Sequence, residues 1–424
     1  MNFLDFSLND WLHYLEHVHL NEVQLGLDRV STVASRLGLL HWDATIITVA
    51  GTNGKGSTVA ALEAIYLAAG YCVASYTSPH LIAFNERIRV NQQAISDEHL
   101  CSAFIEIEQC RAETHLTYFE MATLAALSYF KHFKLDVIIL EVGMGGRLDA
   151  TNIIDSDLAI ITTVDFDHQD FLGDTIDAIG YEKAGILRMN KPFIYSDNVP
   201  PASVVARADV LNTPMYCLGV DYSFNSTNES LLLSLPTDES LRLPSPGINH
   251  KAAAAAIIAS HCLQQKLPVT LEQLAQAMRE VSISGRQQVI QGPITTVFDV
   301  SHNPQAVLLL ADFIRRLQPK GKVHAVFSGL KDKDLCGLIK PMRLCVDFWY
   351  PVLLSGKRAA SQSQLLAAIA AVDCLVTACA SDPLTTYQEI VQKAEPDDLI
   401  IVYGSFLIVS AIMVGGCMEW EALQ

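Results

Sequence analysis

The sequence is short of charge and of covalent staples. Only 18% of its 424 residues are Asp, Glu, Lys or Arg, while half are apolar. Such a chain is too apolar for disorder and too long for one ordinary domain, so two or three packed domains are expected. Basic residues are the scarcer sign: 29 Lys and Arg stand against 46 Asp and Glu, a net charge of −17. That balance excludes a general polyanion-binding surface, because non-specific nucleic-acid affinity comes from neutralising phosphates with Lys and Arg. No Lys or Arg precedes Arg29, so the basic n-region of a secretion signal is missing. The ten cysteines include no CxxC pair and suggest no disulfide framework. These absences predict a cytoplasmic protein that binds no nucleic acid.

One uncharged run, residues 399–416, could just reach across a bilayer. Residues 400–403 nevertheless read as a buried strand ended by Gly404-Ser405, and the remainder to 414 as a helix, so no membrane span is expected. There is no internal repeat and no low-complexity segment beyond the alanine run at 252–256.

What is present is an alternation of short β-branched runs with helical stretches. Residues 45–49, 136–140 and 158–162 read as buried parallel strands. The fold class predicted is α/β, a parallel sheet with ligands at the carboxyl ends of its strands. The pattern weakens over 198–246, where antiparallel strands or loops are expected. A composition break at 282–286, closed by Gly292-Pro293, divides the chain into 1–284 and 285–424. The second part carries its own strands at 295–300, 323–327, 347–352 and 399–403, a smaller Rossmann-like α/β domain.

The sharpest chemical signal is Gly51-Thr52-Asn53-Gly54-Lys55-Gly56-Ser57-Thr58, between a strand and a helical run. Backbone N–H groups and the helix N-terminus can cradle phosphate oxygens there, and Lys55 adds a mobile charge. It departs from the usual P-loop because Gly56 follows Lys55 and Val49 stands where the first Gly would be; a glycine turn without a ligand is the bland alternative. Glu141, ending a strand before a glycine-rich stretch, is an oxygen donor suited to Mg²⁺ or else a structural ion pair. Arg147 in that stretch is available to an anionic substrate. His168 is a metal ligand or a hydrogen-bonded loop residue, and Ser78 faces a ligand or opens a turn. Lys183 by itself reads as a solvated helix residue. Asp299 binds ribose hydroxyls, or else an Asp or Asn of the segment 298–304 caps the next helix.

Taken in order, the loop 51–58, Thr77-Ser78-Pro79-His80, residues 117–120 and 141–152, Asp167-His168, residues 182–186, Gly285-Arg286 and residues 299–304 resemble the folylpolyglutamate synthase family. The resemblance is strongest to its bacterial bifunctional members, which also act as dihydrofolate synthases and are relatives of the Mur ligases. It implies a P-loop ATP-binding domain of Mur ligase type with a pterin site over 1–284 and a glutamate ligase domain over 285–424. It also implies an amide ligase in which a substrate carboxylate attacks ATP and L-glutamate displaces phosphate from the acyl phosphate. ATP is the co-substrate, with two Mg²⁺ ions, and the other small-molecule partners are L-glutamate, dihydropteroate and folates; the protein is expected to act as a monomer.

Position by position, the resemblance puts Thr52, Asn53, Gly54, Lys55, Gly56 and Ser57 on ATP with Asn249, Arg286 and Asp299, the last two as interdomain contacts. It puts Ser78, Glu141, His168 and Lys183 around the metal, with Lys183 carrying a CO₂ adduct. It puts Val23, Gln24, Leu25, Thr117, Tyr118, Phe119, Glu120, Leu148, Asp149 and Ala150 on the pterin. Asn249 is the weakest of these matches, because its context reads Gly247-Ile248-Asn249-His250 where the family usually has a Gln and an Asn. A monofunctional folylpolyglutamate synthase, a Mur-type peptide ligase or a nucleotide-binding regulator are the alternatives. Glu141, His168 and Lys183 together favour turnover over mere binding.

Overall fold

The computed structural model describes residues 3–17, 24–227, 229–237, 239–374, 376 and 379–420, with 416–420 by backbone alone. The chain divides into two compact units, Met1–Val281 and Ser282–Gln424.

The first unit is built on an eight-stranded sheet. Its strands are β1 (Thr45–Ala50), β2 (Val73–Tyr76), β3 (Ile88–Val90), β4 (Gln93–Ala94), β5 (Val137–Glu141), β6 (Leu158–Ile161), β7 (Phe193–Tyr195) and β8 (Met215–Cys217). They lie in the order β4-β3-β2-β5-β1-β6-β7-β8. All neighbours are parallel except β3, antiparallel to both β2 and β4 at one edge. β1, β5 and β6 are buried along their whole length, as expected of strands covered on both faces by crossover helices. The weakly patterned region contains an antiparallel sheet, β9 (Ser223–Ser226), β10 (Ser230–Ser234) and β11 (Ser240–Pro244). Sequence reasoning missed β7, β8 and the helix Ala202–Val210, because three-residue strands carry too little pattern to detect.

The helix Lys55–Ala68 begins four residues before the apolar run that predicted it, so Lys55 lies in its first turn. It packs against the helix His250–Cys262, in which Ala252–Ala256 are all buried. Small side chains let the backbones approach closely, which accounts for an alanine run that helix propensity alone would not require.

The second unit has a five-stranded sheet, β12 (Gln288–Ile290), β13 (Thr295–Asp299), β14 (Val323–Phe327), β15 (Phe348–Pro351) and β16 (Leu399–Tyr403), ordered β12-β13-β16-β14-β15. Only β12 runs antiparallel to its neighbour. The uncharged run comprises the fully buried β16, a turn at Gly404-Ser405 and the greater part of the helix Phe406–Trp420. Among the described residues no helix is long and apolar enough to cross a membrane. Gly404 has φ +116°, and a Cβ there would stand 2.1 Å from the Ser328 carbonyl oxygen. Gly404→Ala is therefore expected to destabilise this unit by roughly 3 kcal/mol, from the disfavoured φ and the backbone clash together. A urea melt reads this, and an unchanged midpoint would show that the turn yields freely.

Candidate active site

The sheet register brings the candidate residues to one edge. Val49 pairs with Glu141, Tyr76 with Leu140 and Ala50 with Ile161, so the segments leaving β1, β2, β5 and β6 emerge side by side. This is where a parallel α/β sheet binds ligands.

The loop after β1 is held open by the chain that follows β6. Thr52 N–H donates to the Thr163 carbonyl at 2.8 Å and Asn53 N–H to Thr163 Oγ1 at 3.0 Å. Thr162 Oγ1 donates to the Asn53 carbonyl at 2.6 Å, and Thr52 Oγ1 and Asp165 N–H bond at 3.0 Å. Gly51 has φ +147° and Gly54, at the helix N-cap, φ +87°, conformations that favour glycine. Lys55 Nζ folds back to donate to the Gly51 carbonyl at 2.9 Å and the Thr52 carbonyl at 3.3 Å. The ammonium therefore sits over its own loop at the helix start. Thr162 was not foreseen as a support, since nothing in its sequence neighbourhood marks it.

Glu141 is buried, and its Oε2 accepts from Ser78 N–H at 3.3 Å. The hydroxyl-bearing turn after β2 and the acid ending β5 are thus adjacent. His168 follows β6 in the left-handed region at φ +52°, a backbone state uncommon for any residue with a Cβ. Its ring is half-exposed, 3.8 Å from Asp167.

Lys183 departs most from its sequence reading. It ends the helix Ile176–Lys183 with only 3% of its surface exposed. Burial, followed by the nearby Lys55 charge, pulls its pKa down to about 7, against the opposing pull of Asp167 and Asp149. A neutral amine is thus within reach at ordinary pH, and only a neutral amine adds CO₂. Among the described residues no three His, Cys, Asp or Glu side chains form a ready metal cage. A cation here would draw on the mixed set Ser78, Glu141, His168 and a Lys183 adduct, completed by phosphate and water; all but the His168 imidazole nitrogen are the hard oxygen donors that Mg²⁺ prefers.

The loop after β5 is stitched to the Lys183 helix. Arg147, expected to be available to an anionic substrate, is paired with Glu182, its Nη2 2.8 Å and its Nε 3.2 Å from Glu182 Oε1, and its side chain stays 41% exposed. A Cβ on Gly185 would lie 2.3 Å from Arg147 Cβ, and one on Gly146 2.9 Å from the Lys183 carbonyl, so the two backbones touch. Asn152 Nδ2 donates to the carbonyls of Arg147 and Gly185. Asp149 is buried; Oδ2 accepts from Met144 N–H at 2.9 Å and Oδ1 from Thr151 N–H at 3.0 Å. Burial still pushes its pKa up.

Of the residues read as pterin contacts, Thr117, Tyr118, Phe119 and Glu120 open the helix Tyr118–Phe130 as a capping box, with Glu120 Oε2 accepting from Thr117 N–H at 2.7 Å. The Phe119 ring lies on Gly143, where a Cβ would come within 2.5 Å of it. Ala150 is buried and Leu148 half-buried beside it, and Gln24 and Leu25 precede the helix Asp28–Leu37. Val23 lies outside the described residues. Asn249 caps the helix His250–Cys262 by accepting from Lys251 N–H at 2.9 Å. Lys251 Nζ in turn reaches Asp197, just after β7.

In the second unit, Asp299 ends β13 in a buried position. Its Oδ2 accepts from Gln287 N–H and its Oδ1 from Ser301 N–H, both at 2.8 Å. Asn303, not Asp299, caps the following helix Pro304–Leu317. Arg286 lies over the Phe406 ring at 5.6 Å.

The chain is similar to known proteins over nearly its whole length. Residues 49–199 match the Mur ligase middle domain and 285–406 the Mur ligase, glutamate ligase domain. The dihydrofolate synthase/folylpolyglutamate synthase of Escherichia coli (strain K12) is 39% identical over 407 residues, covering 96% of this chain and 94% of that protein. The solved structure of E. coli FolC in complex with DHPP and ADP superposes with a TM-score of 0.93 at 37% identity, covering 98% of this chain and 99% of that one. A bifunctional folylpolyglutamate synthase/dihydrofolate synthase solved with Mn, AMPPNP and L-glutamate bound gives a TM-score of 0.89 at 42% identity, covering 97% of this chain and 98% of that one.

Proposed function

Because the chain belongs to the dihydrofolate synthase/folylpolyglutamate synthase family, we propose that it joins L-glutamate to dihydropteroate and to reduced folates at the expense of ATP. The observation that carries this reading is the convergence at one sheet edge of a phosphate-binding loop, a buried acid and a desolvated lysine.

In this reading the amides of Thr52 to Ser57 and the Lys55 ammonium hold the ATP phosphates, so that negative charge is matched before the substrate carboxylate attacks. Asn249, Arg286 and Asp299 supply the remaining nucleotide contacts. Ser78, Glu141, His168 and a Lys183 carbamate would hold a divalent cation, which when bound would supply neutralising charge beside the transferred phosphoryl group. Val23, Gln24, Leu25, residues 117–120 and Leu148, Asp149 and Ala150 receive the pterin. Residues 1–284 hold the ATPase and pterin functions and 285–424 the glutamate ligase function, in a cytoplasmic monomer. The chain has little use for a nucleophilic side chain, since the reaction needs positioned phosphates and an in-line carboxylate. The −17 net charge is no obstacle, because counter-charge is supplied locally by Lys55, backbone amides and metal.

Purified protein with ATP, Mg²⁺, dihydropteroate and L-glutamate should release phosphate and form dihydrofolate, with no turnover when any one component is omitted. Failure with dihydropteroate but success with a reduced folate would restrict the protein to folylpolyglutamate synthesis; failure with both would discard the proposal. Lys55→Ala is expected to lower kcat/KM for ATP by about 100-fold or more, the scale of losing a preorganised charge from the transition state. A kinetic constant near wild type would remove Lys55 from the nucleotide site.

A further inference from the structure

The residues assigned above to the pterin come from three separate stretches of chain; one side chain outside all of them ties two together, and the Gly26 backbone joins the third. Arg29 Nη2 donates to the Gln24 carbonyl at 2.7 Å and to Glu120 Oε1 at 3.1 Å. Glu120, 3% exposed, uses its other oxygen to accept from Thr117 N–H at 2.7 Å. Gly26 N–H donates to the Leu148 carbonyl at 3.5 Å. A continuous run of contacts thus passes from Leu148 through Gly26 and Gln24 to Arg29, Glu120 and Thr117.

Local stability does not account for an arginine at this place. Arg29 stands in the first turn of the helix Asp28–Leu37, whose N-cap Leu27 provides no side-chain cap, and a cation there opposes the helix dipole. Its Nε is shielded and finds no acceptor among the described residues, a cost for any buried donor. A shielded ion pair is weak evidence for stability and is better explained by the geometry it imposes. Gln24 is exposed and lies in neither a helix nor a strand, so the Arg29 contact is what fixes its carbonyl.

We propose that Arg29 is a positioning residue for dihydropteroate: it holds the Gln24–Leu25 backbone in place against the capped start of the Thr117–Glu120 segment, acting through those residues without touching the substrate. The inference rests on the assignment of these segments to the pterin. The test is the full chain with Arg29→Ala and Arg29→Lys, measuring kcat, the KM for dihydropteroate, ATP and L-glutamate, and the melting temperature. Arg29→Ala should raise the KM for dihydropteroate by about tenfold or more, with kcat and the KM for ATP changed by no more than about threefold. Arg29→Lys should recover part of the loss, since both bonds are donated by the single nitrogen Nη2 and an ammonium keeps the charge and several donors, but on a shorter side chain. A dihydropteroate KM near wild type, or a parallel rise in all three KM values, would overturn the inference. If Arg29→Ala does not fold, Arg29→Met decides by the same split, because it keeps an apolar stem of similar reach and removes both donated hydrogen bonds. If the wild-type protein makes no dihydrofolate, it is the pterin assignment that fails; if wild type turns over and the variants match it, only the role of Arg29 fails.

Discussion

Gly51→Ala is expected to abolish measurable nucleotide binding and to cost the first unit roughly 3 kcal/mol or more, the combined scale of a Gly-only backbone state and a core clash. Gly51 has φ +147°, and a Cβ built there falls 1.8 Å from Thr162 Oγ1 and 3.0 Å from the Thr162 amide nitrogen. Thr162 cannot simply turn away, because its hydroxyl donates to the Asn53 carbonyl at 2.6 Å and is 3.3 Å from the Ala50 carbonyl. Those bonds set the path of the loop whose amides we propose to face the phosphates. Relieving the clash therefore means moving the loop, and a shift of about 1 Å is enough to lose most of a preorganised site. Thermal melts and a titration with a non-hydrolysable ATP analogue measure the two effects separately. Adding Thr162→Ala to Gly51→Ala should restore only part of the stability, since the amide contact and the φ penalty remain. A single variant with normal melting and normal nucleotide affinity would show that the loop is not held by this contact.

The parts of the molecule legible in the sequence are those in which the cause is local. A β-branched run ended by glycine and followed by a hydroxyl-rich helix start declares a strand and an anion-binding turn, because each residue's preference acts on its own backbone. The strands at 45–50, 137–141, 158–161 and 399–403 were readable for that reason, and so was the division of residues 399–416 into strand and helix. Lys183 was not, because its burial depends on the Glu141–Asn152 loop packed over its helix, and no periodicity records that contact. The Arg147–Glu182 ion pair was not legible for the same reason: its two residues lie 35 positions apart. The 117–120 segment carries a capping-box pattern, Thr117-x-x-Glu120, that could have been recognised as a helix start. Arg29 was silent, because its two acceptors lie 5 and 91 residues away and nothing at position 29 itself signals either.

Replacing Lys183 by Met should produce opposite changes in activity and stability, a pattern that separates an active-site lysine from a structural one. Turnover should fall by about 1,000-fold or more, the scale of removing a metal-supporting group from a phosphoryl-transfer site. The unliganded protein should nevertheless become more stable, because Met fills similar volume and removes a desolvated amine that makes no hydrogen bond among the described residues. The direction with pH follows from linkage. The unfolded chain keeps this proton up to about pH 10.5, whereas the folded chain releases it near pH 7. Between those values unfolding takes up a proton, so rising pH stabilises wild type relative to the variant, and the full penalty is present at and below pH 7. The advantage of the variant should accordingly be about 2–4 kcal/mol at pH 7 and vanish towards pH 10.5. Bicarbonate with Mg²⁺ should stabilise wild type and leave the variant unmoved, because a carbamate needs the amine. Paired denaturant melts across pH 7 to 10, with and without bicarbonate, read all of this. Equal stability at every pH would mean that the lysine is solvated, and retained turnover would remove it from the reaction.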